Sequence, residues 1–158
     1  MGRSEREPRT TEQAVNAATN NRAPECVGSE AVTQGVRIRV SPRYFPAESA
    51  PEENRFVFVY HITVTNEGDE RVKLLSRHWV IVDGEGERRE VRGEGVVGQT
   101  PELEPGGSHE YESYCPLPTH WGTMEGSFQM RRDNGETFDA MIDRFFLVAP
   151  QEGAEVKA

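Results

Sequence analysis

From residue 36 onward, apolar side chains recur at every second position. Val36, Ile38 and Val40 alternate with Arg37 and Arg39, the pattern of a strand that buries one face and presents a charged one. A proline-rich loop at 42–51, carrying Tyr44 and Phe45, precedes the run Phe56-Val57-Phe58-Val59-Tyr60-His61-Ile62-Thr63-Val64-Thr65, which is apolar or β-branched on both faces as in a central strand. Asn66-Glu67-Gly68-Asp69 then turns the chain. Further strands are predicted at 72–75, 79–82, 88–91, 109–115, 126–131, 137–143 and 145–148, the spacing of an all-β sandwich. Asp83-Gly84-Glu85-Gly86 and Asp133-Asn134-Gly135-Glu136 are hairpin signals, because Asp-Gly and Asn-Gly supply the positive φ angles that suit strand twist. No long segment has helical amphipathicity. The expected fold is all-β, a two-sheet antiparallel β-sandwich, with a closed barrel as the alternative. Its core is expected to hold Val36, Ile38, Val40, Phe58, Tyr60, Ile62, Val64, Trp79, Ile81, Tyr111, Phe128, Met130, Phe138, Phe145 and Leu147.

With 158 residues there is room for one ordinary domain, placed at 31–150. Residues 1–30 are rich in Arg, Glu, Thr, Asn and Ala, too polar to offset the entropy of ordering, and are expected to form a flexible N-terminal arm with at most a transient helix at 11–19. Residues 151–158 are read as a flexible tail. The chain carries 27 acidic and 18 basic residues. The two ends account for seven acids and five bases, so the domain itself is acidic, at 20 against 13. That balance repels nucleic acid and anionic membranes. No stretch approaches a membrane span and the N-terminus lacks the apolar region of a secretion signal, which points to the cytoplasm. Cys26 and Cys115 suggest no disulfide framework.

Candidate chemistry begins with Gly93-Glu94-Gly95-Val96-Val97-Gly98, which spells a dinucleotide-binding fingerprint. That fingerprint requires a helix after the glycines, and the following Gln99-Thr100-Pro101-Glu102-Leu103-Glu104-Pro105 cannot supply one. The motif is therefore read as a loop whose backbone amides are offered to an anion. Arg77, His78, Arg92, Gly93, Gly95 and Gly98 form the candidate ligand site, since arginine donates to phosphate and glycine permits close approach. The structural alternative is that the glycines serve only backbone geometry and Arg77 pairs locally. His61, His78, His109 and His120 are scattered, and the acids Asp83, Glu85 and Glu87 sit on a hairpin tip, so no metal site is expected. Ser113 with His109, or Cys115 with His120, lacks any recognisable catalytic setting; no catalytic residue and no cofactor are expected.

The string Ser76-Arg77-His78-Trp79, then Asp83-Gly84, Val91-Arg92-Gly93-Glu94-Gly95-Val96-Val97-Gly98-Gln99-Thr100-Pro101, Leu103-Glu104-Pro105-Gly106, Tyr111-Glu112-Ser113, Cys115-Pro116-Leu117, Gly122-Thr123-Met124-Glu125-Gly126 and Met130 closely resembles the ApaG family of small bacterial proteins. The resemblance covers residues 32–150. It implies a fibronectin type III/immunoglobulin-like β-sandwich with no established catalytic residues, and a link to cobalt and magnesium resistance or efflux. The same domain occurs as a module in some eukaryotic F-box proteins and in a polymerase-delta-interacting protein, which suggests protein interaction. Tyr114 stands where the pattern leads one to expect a small residue, often glycine.

Two functions follow as expectations. In the first, a non-enzymatic binding module presents loops 43–54 and 119–124 to a protein partner, with Tyr44, Phe45, His120 and Trp121 as anchors. The second is a sensor that holds pyrophosphate or a nucleoside polyphosphate at the glycine loop. An exposed edge strand is also expected to allow a homodimer.

Overall fold

A computed structural model describes residues 25–150, and Glu25–Ala149 form one compact unit. The arm at 1–24, including the transient helix at 11–19, and the tail at 151–158 lie outside the described residues.

Among the described residues, nine strands build two antiparallel sheets. They are β1 (Ser29–Thr33), β2 (Val36–Tyr44), β3 (Phe56–Asn66), β4 (Val72–Asp83), β5 (Arg88–Glu94), β6 (Glu102–Leu103), β7 (Ser108–Leu117), β8 (Trp121–Arg132) and β9 (Thr137–Val148). One sheet has the order β1-β2-β3-β7; the other has β5-β4-β8-β9, with β6 pairing β4 beyond the end of β5. Alternation decides which side chains meet between them. Ile38, Phe58, Ile62 and Val64 point inward from the first sheet, and Trp79, Phe128, Phe145 and Leu147 from the second, all at 3% exposure or less. Trp79 binds the layers together, with ring centroids 5.4 Å from Tyr60, 6.2 Å from Phe128 and 5.9 Å from Phe145.

The structure redraws several boundaries. The described chain is already tied to the sandwich before residue 31: Val27 and Phe146 exchange backbone hydrogen bonds, and Ser29 begins β1. Strand β1 also reaches β9, where Ser29 Oγ donates to Asp143 O at 2.7 Å and Met141 N donates to Thr33 Oγ1 at 3.0 Å. One flank of the sandwich is thereby covered. Pro42 lies in β2, opposite Tyr60, at a point beyond the reach of β1; a missing N–H costs nothing on that unpaired side. The strands read at 72–75 and 79–82 are one strand with a register shift between Leu74 and Ser76, and those at 137–143 and 145–148 are also one. Residues 121–124, read as loop, open β8.

Candidate functional site

Beside the edge strand β5, β4 places Arg77 against Gly93 and His78 against Arg92. Arg77, His78, Arg92 and Gly93 line a concavity of about 570 Å³ together with Glu94, Ser127 and Asp139. Four of the six expected ligand residues are thus brought together.

The bonds of Arg77 and His78, however, are already made. The Arg77 guanidinium donates through Nη1 to the carbonyl oxygens of Glu94 at 3.1 Å and Gly95 at 2.9 Å. It lies flat over Gly93, where an added Cβ would come within 2.6 Å of its Cζ. Gly93 is therefore a glycine so that Arg77 can cross β5 and pin the start of the loop. At Gly95, φ is +64° and a Cβ would collide with the Gln99 carbonyl oxygen. Gly95 N donates to Leu75 O, while Val96 and Gln99 exchange backbone bonds across a two-residue turn in which Val97 and Gly98 both have positive φ. Two amides of the motif are thus engaged, Gly95 N by β4 and Val96 N inside the loop. The motif is also not wholly loop, since Gly93 and Glu94 end β5. Gly98 has open space around it and does not line the concavity.

His78 Nε2 meets Glu90 Oε1 at 2.8 Å, and Arg88 Nη1 meets Glu90 Oε2 at 2.6 Å. These partners hold the Glu90 carboxyl below the usual carboxylate range, His78 contributing most. The concavity thus mixes arginines with the carboxylates of Glu94 and Asp139.

The other candidate chemistries separate in space. Cys115 faces the core at 2% exposure, and burial pushes its thiol up to about 11, so it stays protonated at neutral pH. Ser113 and His109 lie four residues apart on β7, about 14 Å along the strand at the usual rise per residue. Burial likewise raises Tyr60 and Tyr111; Tyr111 Oη is buried without a hydrogen-bond partner. Asp83 Oδ1 accepts from the amides of Glu85 and Glu87, which makes it the organiser of its hairpin. Among the described residues no group of three or more His, Cys, Asp or Glu is arranged to hold a metal ion. Nor does any described helix have the length and apolarity to cross a membrane.

The four aromatic anchors also part company. Tyr44 packs on the core, 5.5 Å from Phe58. His120 sits edge-on to Phe56 at 6.5 Å. Trp121, 38% exposed, covers Gly84, where Thr119 ties the β4–β5 hairpin to the β7–β8 connection by accepting from Gly84 N and donating to Trp121 O. Phe45 alone meets a partner that sequence reading did not use: it stacks on Tyr114 with centroids 6.0 Å apart and planes 20° from parallel. Tyr114 is 62% exposed. The departure from a small residue at 114 was the signal, and the backbone there is regular strand paired to Val59.

Phe45 is held rigidly. Two 3-10 turns, Pro46–Glu48 and Pro51–Glu53, fold the segment onto the outer face of β3. Ser49 Oγ locks it by donating to Phe45 O at 2.8 Å and accepting from Val57 N at 2.9 Å. Phe45, Tyr114, Val57 and Pro116, with Glu48 and Arg55, line an open concavity of about 420 Å³. Arg43 adds a guanidinium 5.9 Å from the Phe45 ring centre.

Residues 46–132 match the family model of the ApaG domain. The chain belongs to the ApaG family. It is 50% identical to Protein ApaG of Methylobacterium nodulans over 121 residues, covering 77% of this chain and 93% of that one. Against Protein ApaG of Mesorhizobium japonicum the identity is 52% over 120 residues, covering 76% and 92%. A solved Bordetella pertussis structure described as ApaA is 44% identical, with a TM-score of 0.71 over 79% of this chain and 98% of that one. The all-β sandwich read from the sequence is therefore the fold of this ApaG domain, and all but one of the residues lining the two concavities fall within or beside the matched stretch.

Proposed function

We propose that this ApaG domain is a non-enzymatic protein-binding module whose contact surface centres on Phe45 and Tyr114. The observation that carries the reading is the stack of exposed Tyr114 on half-buried Phe45 beside a concavity lined by Val57 and Pro116. Tyrosine and phenylalanine offer large contact area at small entropic cost, and a segment already locked by Ser49 loses little freedom on binding. The charges of Arg43, Arg55 and Glu48 around it would orient a partner. Involvement in cobalt and magnesium resistance or efflux then runs through a partner protein, and the two free cysteines suit a cytoplasmic setting.

Side-by-side affinity capture from native extract tests the reading. Tyr114→Ser should abolish a captured protein that Met141→Ser, an exposed control on β9, retains. Equal capture by both variants would sink it. The sensor reading draws on the gathering of Arg77, His78 and Arg92, and is weakened by the engagement of Arg77 and of the loop amides. Saturable heat with pyrophosphate, lost in Arg92→Ala, would favour it.

A further inference from the structure

We propose that β5 is a self-pairing edge that joins two copies of this chain into a two-fold dimer with one continuous sheet. The inference is independent of the aromatic surface, which lies on the other sheet. Among the described residues, strand β5 is outermost in its sheet and hydrogen-bonded to β4 alone, and six of its seven residues are exposed. Such an edge presents unpaired backbone groups to a second strand.

The sequence Arg88-Arg89-Glu90-Val91-Arg92-Gly93-Glu94 is complementary to its own reversal about Val91. Arg88, Glu90, Arg92 and Glu94 share one face of the sheet, being opposite Val82, Val80, His78 and Ser76 of β4. In an antiparallel pairing centred on Val91, Arg88 meets the partner's Glu94 and Glu90 meets the partner's Arg92. Two-fold symmetry makes each contact twice. On the other face Val91, 37% exposed, meets the partner's Val91, while Arg89, which donates to Pro116 O at 3.3 Å within its own copy, lies opposite the partner's Gly93 and the Arg77 guanidinium that crosses it.

The neighbouring registers are rejected by charge. Centring on Glu90 sets Arg88 against the partner's Arg92 and Glu90 against itself. Centring on Arg92 sets Glu90 against the partner's Glu94 and Arg92 against itself. Like charges directly opposite destabilise a strand pair, so the Val91 centre is singled out among the three. Within one copy these groups have capacity left: the Glu94 carboxylate makes no ion pair among the described residues, and Arg92 reaches Glu90 only at 3.6 Å while 72% exposed. The opposite flank offers no such edge, because β1 and Val27 cover β9 there.

Sedimentation of the full chain from micromolar to millimolar concentration tests the proposal. A reversible monomer–dimer equilibrium that weakens with added salt is expected. Glu90→Arg and Arg92→Glu should each raise the dissociation constant by about tenfold or more, while the double exchange E90R/R92E should return it to within about threefold of the parent, since the swapped pair is again complementary. A monomer throughout, a dimer indifferent to both single variants, or a double exchange that fails to restore it would overturn the proposal. Because Glu90 also holds His78, a second variant leaves every charge in place. Opposed residues in an antiparallel pair have Cα atoms about 4.5–5.5 Å apart, within disulfide range. Val91→Cys should therefore oxidise to a covalent dimer far faster than Val97→Cys, beyond the strand, or the parent with its own Cys26 and Cys115. Equal rates at 91 and 97 would contradict the pairing.

Discussion

Replacing Gly93 by alanine should destabilise this domain only while Arg77 is present. The new methyl would stand 2.6 Å from Arg77 Cζ and Nη2 and 2.8 Å from Nη1, so the guanidinium must leave its place and its two bonds to Glu94 O and Gly95 O. Bonds from a charged donor contribute roughly 1.5–3 kcal/mol each when buried; these are partly solvated, so about 1 kcal/mol each is a fair discount. Against that loss stands the ordinary gain of alanine over glycine in a strand, about 0.5 kcal/mol. The net cost in the parent is about 1.5 kcal/mol. In an Arg77→Ala background nothing remains to be displaced, and Gly93→Ala should be neutral or stabilising by about 0.5 kcal/mol. Urea unfolding followed through the fluorescence of buried Trp79 reads both arms of the cycle; with a slope of about 1.5 kcal/mol/M, the parent midpoint should fall by about 1 M. Equal costs in the two backgrounds, or no cost in the parent, would refute the view that this glycine exists for Arg77.

Other outcomes follow from the same geometry. Phe128→Ala removes a ring with no exposure that touches Trp79 and Tyr111, and should cost about 3–5 kcal/mol in urea unfolding. Asn66, 1% exposed, donates to Glu70 O and Leu103 O and accepts from Gly68 N; Asn66→Leu should cost about 2–4 kcal/mol by the same assay, because the buried Leu103 carbonyl and the part-buried Glu70 carbonyl and Gly68 amide lose their partner. Arg37 bonds both Glu30 and Glu67: against the upward pull of partial burial, Arg37 and Arg39 hold the Glu30 carboxyl low, and Arg37 holds that of Glu67 low. Carboxyls depressed in the folded state contribute stability that is complete above their usual range and is lost as pH falls through the lowered values, so Arg37→Met should flatten the acid limb of a melting-temperature-against-pH profile while leaving the shape above pH of about 6 unchanged.

Much of the sandwich was legible because alternation is local. Val36, Ile38 and Val40, or Phe58 through Val64, declare their buried face without knowledge of a partner. Strand β1 was not legible: Ser-Glu-Ala-Val-Thr has too little apolar character, and its place depends on β2 and on Asp143 and Met141, more than a hundred residues away. Trp121 was hidden by Pro118 and Gly122, which read as turn although the ladder opens at 121. The local role of the glycine motif was hidden for a related reason. Its meaning rests on the register that sets Arg77 opposite Gly93, and register is a property of the paired strands. Tyr114 was noticed as a departure from the family pattern, yet its stacking on Phe45 depends on how the segment after β2 folds back across β3.

Site-specific photo-crosslinking in living cells addresses the binding surface most directly. A benzophenone side chain at position 114 or 45 should yield the same discrete protein adduct, and one at 97, on the exposed tip of the glycine loop, should yield none. Adducts that arise from 97 and not from 114 or 45 would contradict a partner surface built on the Phe45–Tyr114 stack.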